Sequence, residues 1–219
     1  MTQKNGSISL KTITCNPFAE NTYILWDTET QDGVIFDPGC SDSQEEYELS
    51  SFILEQKIRV KAVINTHCHL DHVWGNPFVK ENWGCPLYVP EHELALLRYA
   101  KKQGQSFGLV LPDQPEPDII IKEEGHLEIG SLKLRSIFTP GHAPGEYCFL
   151  IKGTDFLIAG DVLFEEGIGR TDLPGGNHKM LLASIRERLF ILPDSTIVFP
   201  GHGNPTTIGH EKVYNPFLT

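Results

Sequence analysis

Four potential metal donors lie within six residues in the segment His67-Cys-His-Leu-Asp-His72. Imidazole nitrogens and carboxylate oxygens are the groups from which catalytic zinc and iron sites are built. Where a chain leaves a β-strand, alternate side chains point opposite ways, so His67 and His69 can share a direction while Cys68 turns away as a packing residue. Asp71 and His72 follow where the chain turns toward a helix. One ion cannot take all of these from so short a segment, so the spacing suggests two neighbouring sites served by one loop. Three further donors stand in Gly/Pro-rich turns. They are His142 in Thr139-Pro-Gly-His-Ala-Pro-Gly145, Asp161 in Ala159-Gly-Asp-Val-Leu163, and His202 in Phe199-Pro-Gly-His-Gly203. Singly, a loop histidine is more often a hydrogen-bonded surface residue, and Gly-Asp is a common turn dipeptide. Together, a histidine cluster with distant carboxylates points to a catalytic metal centre.

Strands must end at each of these turns. Runs rich in branched and aromatic residues predict strands over 21–27 and 33–37, and the apolar run 60–65, directly before the histidines, predicts a strand buried on both faces. Ser43-Gln-Glu-Glu46 has the form of a capping box and predicts a helix over 43–56. A short strand is expected over 87–89, then a helix over 91–100 with Leu94, Leu97 and Ala100 on one face. The stretch 101–118, with Pro112, Pro115 and Pro117, reads as a long surface loop. Strands follow over 119–122, 126–129, 132–138, 147–151 and 156–159, then a helix over 178–190, a strand over 196–199 and a helix over 208–214. Glycine before each later donor permits the tight turns that bring a side chain near an ion. Two facing sheets with helices outside would bury this much strand; a single doubly wound sheet also satisfies the pattern.

With 219 residues, the chain fits a single domain over 1–219. The balance of 18 Lys+Arg against 29 Asp+Glu, net −11, argues against a nucleic-acid partner. No apolar run reaches the ~20 residues of a membrane span, and Met1 to Leu10 shows no apolar signal core, so a cytoplasmic protein without a membrane partner is expected. The five cysteines are scattered without a C-x-x-C pair, so neither a disulfide framework nor a thiolate zinc site is expected. Oligomeric state is not encoded in any recognisable feature.

The sequence resembles the metallo-β-lactamase-fold hydrolases, and within them the short, glyoxalase II-like (hydroxyacylglutathione hydrolase-like) proteins. The resemblance runs through Asn21-Thr-Tyr23, Asp37-Pro-Gly39, the His67–His72 segment, Thr139-Pro-Gly-His142 and Gly160-Asp161. It continues in Gly167-Ile-Gly-Arg-Thr-Asp-Leu-Pro-Gly-Gly176, Pro200-Gly-His-Gly203 and Thr206-Thr-Ile-Gly209. It implies an α/β fold, the four-layer αββα sandwich. It implies two divalent metal ions, zinc first with iron or manganese as alternatives. His67, His69 and His142 would hold one, Asp71, His72 and His202 the other, and Asp161 would bridge them.

The resemblance further implies hydrolysis of a small-molecule thioester of the S-2-hydroxyacylglutathione type by a metal-bridging hydroxide, with Asp71 and Asp161 catalytic. Paired dications ~3.5–4 Å apart acidify the water between them, and a thiolate with a conjugate-acid pKa of about 8.5 leaves without strong acid assistance. Longer glyoxalase II enzymes add a helical region that contacts glutathione. Here Arg170, and after it Lys179, are the expected anion contacts. Glu146 departs from the His or Ser common at that point, and an acid near the cleft is expected to disfavour an anionic thiol carrier. An iron-dependent persulfide (sulfur) dioxygenase using His67, His142 and Asp161, or a lactonase, are the competing readings. A secreted β-lactamase is disfavoured by Asp161, where many such enzymes carry cysteine.

Overall fold

The computed structural model describes residues 2–219; Met1 lies outside the described residues. Two sheets form the body. The first holds seven strands in chain order: β1 (Thr2–Asn5), β2 (Ile8–Cys15), β3 (Glu20–Asp27), β4 (Asp32–Phe36), β5 (Arg59–Ile64), β6 (Leu87–Pro90) and β7 (Ile119–Ile121). β1 to β4 run antiparallel, and β4 to β7 pair in parallel. The second sheet begins with β8 (Gly125–Ile129), β9 (Leu132–Phe138), β10 (Tyr147–Ile151) and β11 (Phe156–Gly160). After the small hairpin β12 (Leu163–Phe164) and β13 (Gly167–Ile168), it closes with β14 (Ile197–Pro200) and β15 (Thr206–Thr207), in the order β15-β14-β11-β10-β9-β8.

Strand alternation explains why these segments are apolar throughout. Successive side chains face opposite sides of a sheet. In β3, Tyr23 and Leu25 join Phe36, Ile64, Phe149, Ile158 and Phe199 in the layer between the sheets. The intervening Ile24 and Trp26 pack outward with Leu49 and Ile53 of α1 (Ser43–Glu55) and Leu97 of α4 (Leu94–Ser106). On the far side, Leu157 and Ala159 of β11 meet Leu181 of α5 (His178–Ser184) and Ile208 of α6 (Ile208–Tyr214). Three apolar layers between four structural ones make the αββα sandwich; the doubly wound alternative is excluded. No helix among the described residues is long and apolar enough to cross a membrane.

Several expectations shift in detail. The cap of α1 is Asp42, whose carboxylate accepts from Gln44 N and Glu45 N, rather than Ser43. Glu45 completes the cap by accepting from Ser41 N at 2.7 Å. Helix α4 runs to Ser106, six residues into the expected loop, because Gly104 lets Leu111 close against it. The 178–190 helix is α5 plus one π-helical turn, Ile185–Leu189. The β1–β2 hairpin turns through Gly6, at φ +60°.

The start of β3 ties the sheets together at the future site. Asn21 N donates to Gly201 O at 2.7 Å, and the Tyr23 hydroxyl donates to Pro200 O at 2.5 Å. Replacing Tyr23 with Phe should lower stability by about 1 kcal/mol, because Pro200 O keeps a second donor in Asn21 Nδ2. A urea midpoint that falls at unchanged m-value checks this.

Candidate metal centre

All seven donors converge where the sheets' strand ends meet. β5 delivers Thr66 to His69 and then α2 (Leu70–Val73), β9 leads to His142, β11 ends before Asp161, and β14 before His202. Glycine makes the approach close: a Cβ at Gly201 would run into Asp161 Oδ1 and His72 Cε1. His67, His69 and His142 present ligand atoms within 4.8 Å of one another, and so do Asp71, His72 and His202. Asp161 stands between the groups. Its Oδ1 is 3.5 Å from His72 Nε2, and its Oδ2 is 3.4 Å from His142 Nε2 and 3.6 Å from His202 Nε2.

Behind the ligand faces, oxygen atoms fix the rings. His67 Nδ1 lies 3.0 Å from Thr66 Oγ1 and 3.4 Å from Glu146 Oε1. Asp37 Oδ2 accepts from His72 Nδ1 at 3.1 Å, and the carbonyls of Arg170 and Phe18 accept from His142 Nδ1 (2.7 Å) and His202 Nδ1 (3.0 Å). A carbonyl can only accept, so those two rings carry a proton at Nδ1 and turn Nε2 inward, where His142 Nε2 lies 2.8 Å from His69 Nδ1 and His202 Nε2 lies 3.2 Å from Asp71 Oδ2. His67 Nε2, His72 Nε2 and Asp161 Oδ1 are buried with no hydrogen-bond partner. Buried polar atoms without partners are costly, and their convergence here fits divalent cations.

The profile of the Metallo-beta-lactamase superfamily matches residues 15–202. The chain belongs to this superfamily. It is 36% identical over 213 residues to the hydroxyacylglutathione hydrolase GloC of Haemophilus influenzae, covering 96% of this chain and 98% of that protein. Among solved structures, the B3 metallo-beta-lactamase BLEG-1 is similar at 35% identity and a TM-score of 0.89, covering 96% of this chain and 99% of that one. TTHA1623, in a di-iron-bound form, is similar at 35% identity and a TM-score of 0.85, covering 95% of this chain and 100% of that one.

In this member of the superfamily, buried carboxylates surround the donors: Glu93 and Glu20, which sequence reasoning missed, and Glu146, which it placed near the cleft. Glu93 accepts from Cys68 N at 2.9 Å and Gly145 N at 2.6 Å, bracing the His67–His69 loop against the His142 loop. Burial pushes its pKa from 4.5 up to about 7, against the two amide donors. Glu20 lies 4.0 Å from His72 Nδ1. Glu146 is fully buried and accepts from Asp161 N at 2.7 Å. It is therefore not an acid facing the cleft, as the sequence suggested, because the strand β10 it precedes turns it inward behind His67. No local spacing announces these residues, since their partners are backbone amides and rings from remote segments.

The cleft above the centre has a volume of about 410 Å³ and is floored by His69, Asp71, His142, Asp161 and His202. Arg170 lines it, exposed and paired with Asp172 by two 2.7 Å bonds. Lys179 is exposed in the first turn of α5 and is not among the lining residues.

The two donor groups differ in protonation. Burial and then the His72 and His69 charges push His67 well down, and burial with His142 brings His69 down to about 3. Burial also opposes charge on His72, yet Asp161 and Asp71 drive its pKa well above 6.5; His202 is likewise raised through Asp71. Near pH 7 His67 and His69 are neutral, whereas His72 holds a proton that a cation must displace. Calorimetric titration in buffers of different ionisation enthalpy should show proton release on filling the Asp71–His72–His202 group, with that affinity weakening first as pH falls. Substituting Glu93 with Gln removes one of its two acceptors and should cost about 1–3 kcal/mol in denaturant unfolding.

Proposed function

We propose that this chain is a metal-dependent hydrolase of 2-hydroxyacyl thioesters, the S-2-hydroxyacylglutathione type that the name of its relative GloC supplies. The observation that carries this reading is the pair of donor groups joined by Asp161, with unpartnered buried atoms aimed between them. In this reading His67, His69 and His142 hold one divalent cation, Asp71, His72 and His202 the second, and Asp161 serves both. Zinc suits such nitrogen and oxygen donors, and iron is the ion in the related TTHA1623 structure. When bound, such ions acidify water and polarise a carbonyl.

The remaining work falls to the chain. Asp71 Oδ2, in the cavity floor 3.2 Å from His202 Nε2, orients attacking water by accepting its hydrogen bond. The carbonyls of Phe18 and Arg170 keep Nε2 of His202 and His142 turned inward. A thiolate departs at neutral pH without a dedicated acid. A small-molecule partner is supported by the recessed cleft and by the net charge of −11, which disfavours nucleic acid.

Purified protein should contain two divalent ions per chain and hydrolyse S-lactoylglutathione, releasing thiol. The Asp161→Asn variant should lose about 100-fold or more in kcat/KM together with metal content. A single iron with oxygen uptake on glutathione persulfide, and no thioester cleavage, would displace this reading.

A further inference from the structure

The cleft walls are chemically unlike the floor. Phe18, in the turn between β2 and β3, meets Phe107, at the end of α4, edge to face with ring centroids 6.3 Å apart. Both rings are solvent-exposed, 39% and 58%, although they stand at the entrance of a cavity that has room for them to cover a guest. Phe164, whose ring lies 6.3 Å from that of His202, and Leu173 continue the apolar wall. Arg170 is the cationic side chain of the wall, and its Nε and Nη2 already donate to the Asp172 carboxylate. Gln103 also lines the cleft; its Oε1 is buried and accepts no hydrogen bond.

Glutathione carries two carboxylates and an ammonium group. Entering this cleft would strip water from charges that meet aromatic rings and an already paired guanidinium, which is unfavourable. An apolar arm would instead be covered by Phe18 and Phe107, and an amide N–H on it would satisfy Gln103 Oε1. Resting on the thioester reading and refining its carrier, we propose that the thiol selected by this cleft is neutral, largely apolar and bears an amide N–H, the chemistry of an N-acylated cysteamine, in preference to glutathione.

The test uses the metal-loaded protein and two matched pairs of compounds. The lactoyl thioesters of N-acetylcysteamine and glutathione are compared in kcat/KM. The non-hydrolysable S-(2-hydroxypropyl) thioethers of the same thiols are compared in calorimetric affinity. The neutral member of each pair should be preferred by about tenfold, through KM rather than kcat. Phe107→Ala, at a side chain that is mostly exposed and whose loss leaves the core intact, should shrink that preference severalfold, whereas Gln103→Leu should weaken both thioethers, because glutathione carries the same amide N–H two carbons from its sulfur. Equal or tighter binding of the glutathione thioether, or a Phe107→Ala variant that alters both compounds alike, overturns the assignment. Preferential binding of the neutral thioether with hydrolysis of neither ester would support the cleft assignment and sink the thioester reading alone.

Discussion

Buried imidazoles whose inner nitrogens have no hydrogen-bond partner are stable only if something else holds each ring and something else answers the lone pairs. Here oxygen claims the outer nitrogen of four rings: Thr66 for His67, Asp37 for His72, the Arg170 carbonyl for His142 and the Phe18 carbonyl for His202, while His69 Nδ1 lies 2.8 Å from His142 Nε2. Each claim fixes a ring plane and leaves the opposite nitrogen facing its neighbours. The arrangement is costly for the bare polypeptide and favourable once positive charge enters.

The sandwich exists to maintain those claims. Thr22 accepts from Gly39 N and donates to Asp37 O, so β3 holds the turn that supplies the His72 partner. Asn21 and Tyr23 of the same strand hold the turn that carries His202, which belongs to the other sheet. One three-residue segment therefore links both sheets, with Asn21 and Tyr23 converging on the Pro200 carbonyl and Thr22 on the Asp37–Gly39 turn. The Gly160 backbone, at φ +51°, lets β11 end against Thr66 and Glu146 without a clashing side chain.

Much of this was legible in the sequence because ligand chemistry is local. The spacing of His67, His69, Asp71 and His72 and the Gly-flanked turns around His142, Asp161 and His202 are visible without coordinates. The branched and aromatic runs of β3, β5 and β11 likewise announced strands; β5, expected to be buried on both faces, is so only from Ala62 to Ile64. What stayed hidden depended on distant partners. The α4 extension through Lys101–Ser106 is polar and reads as loop, because only the unsubstituted Gly104 packs, against Leu111. The β1–β2 hairpin carried its signal in Gly6-Ser7, but Thr2–Asn5 lacks the apolar content that marks a strand. Glu93 lies outside the apolar face expected of the 91–100 helix, and its burial follows only from the approach of the Cys68 and Gly145 amides.

Phe18 holds His202 with its carbonyl while its ring stands at the cleft entrance, and its own amide is pinned by the Asn16 side chain at 3.0 Å. The residue thus has one peptide plane serving the inorganic part of the centre and one aromatic face serving the organic part. A guest that reorients the ring tugs on the imidazole behind it. By thermodynamic reciprocity, a cation that stiffens that imidazole also steadies the doorway. Two kinds of occupant that never touch the same atom would sense each other through a single residue.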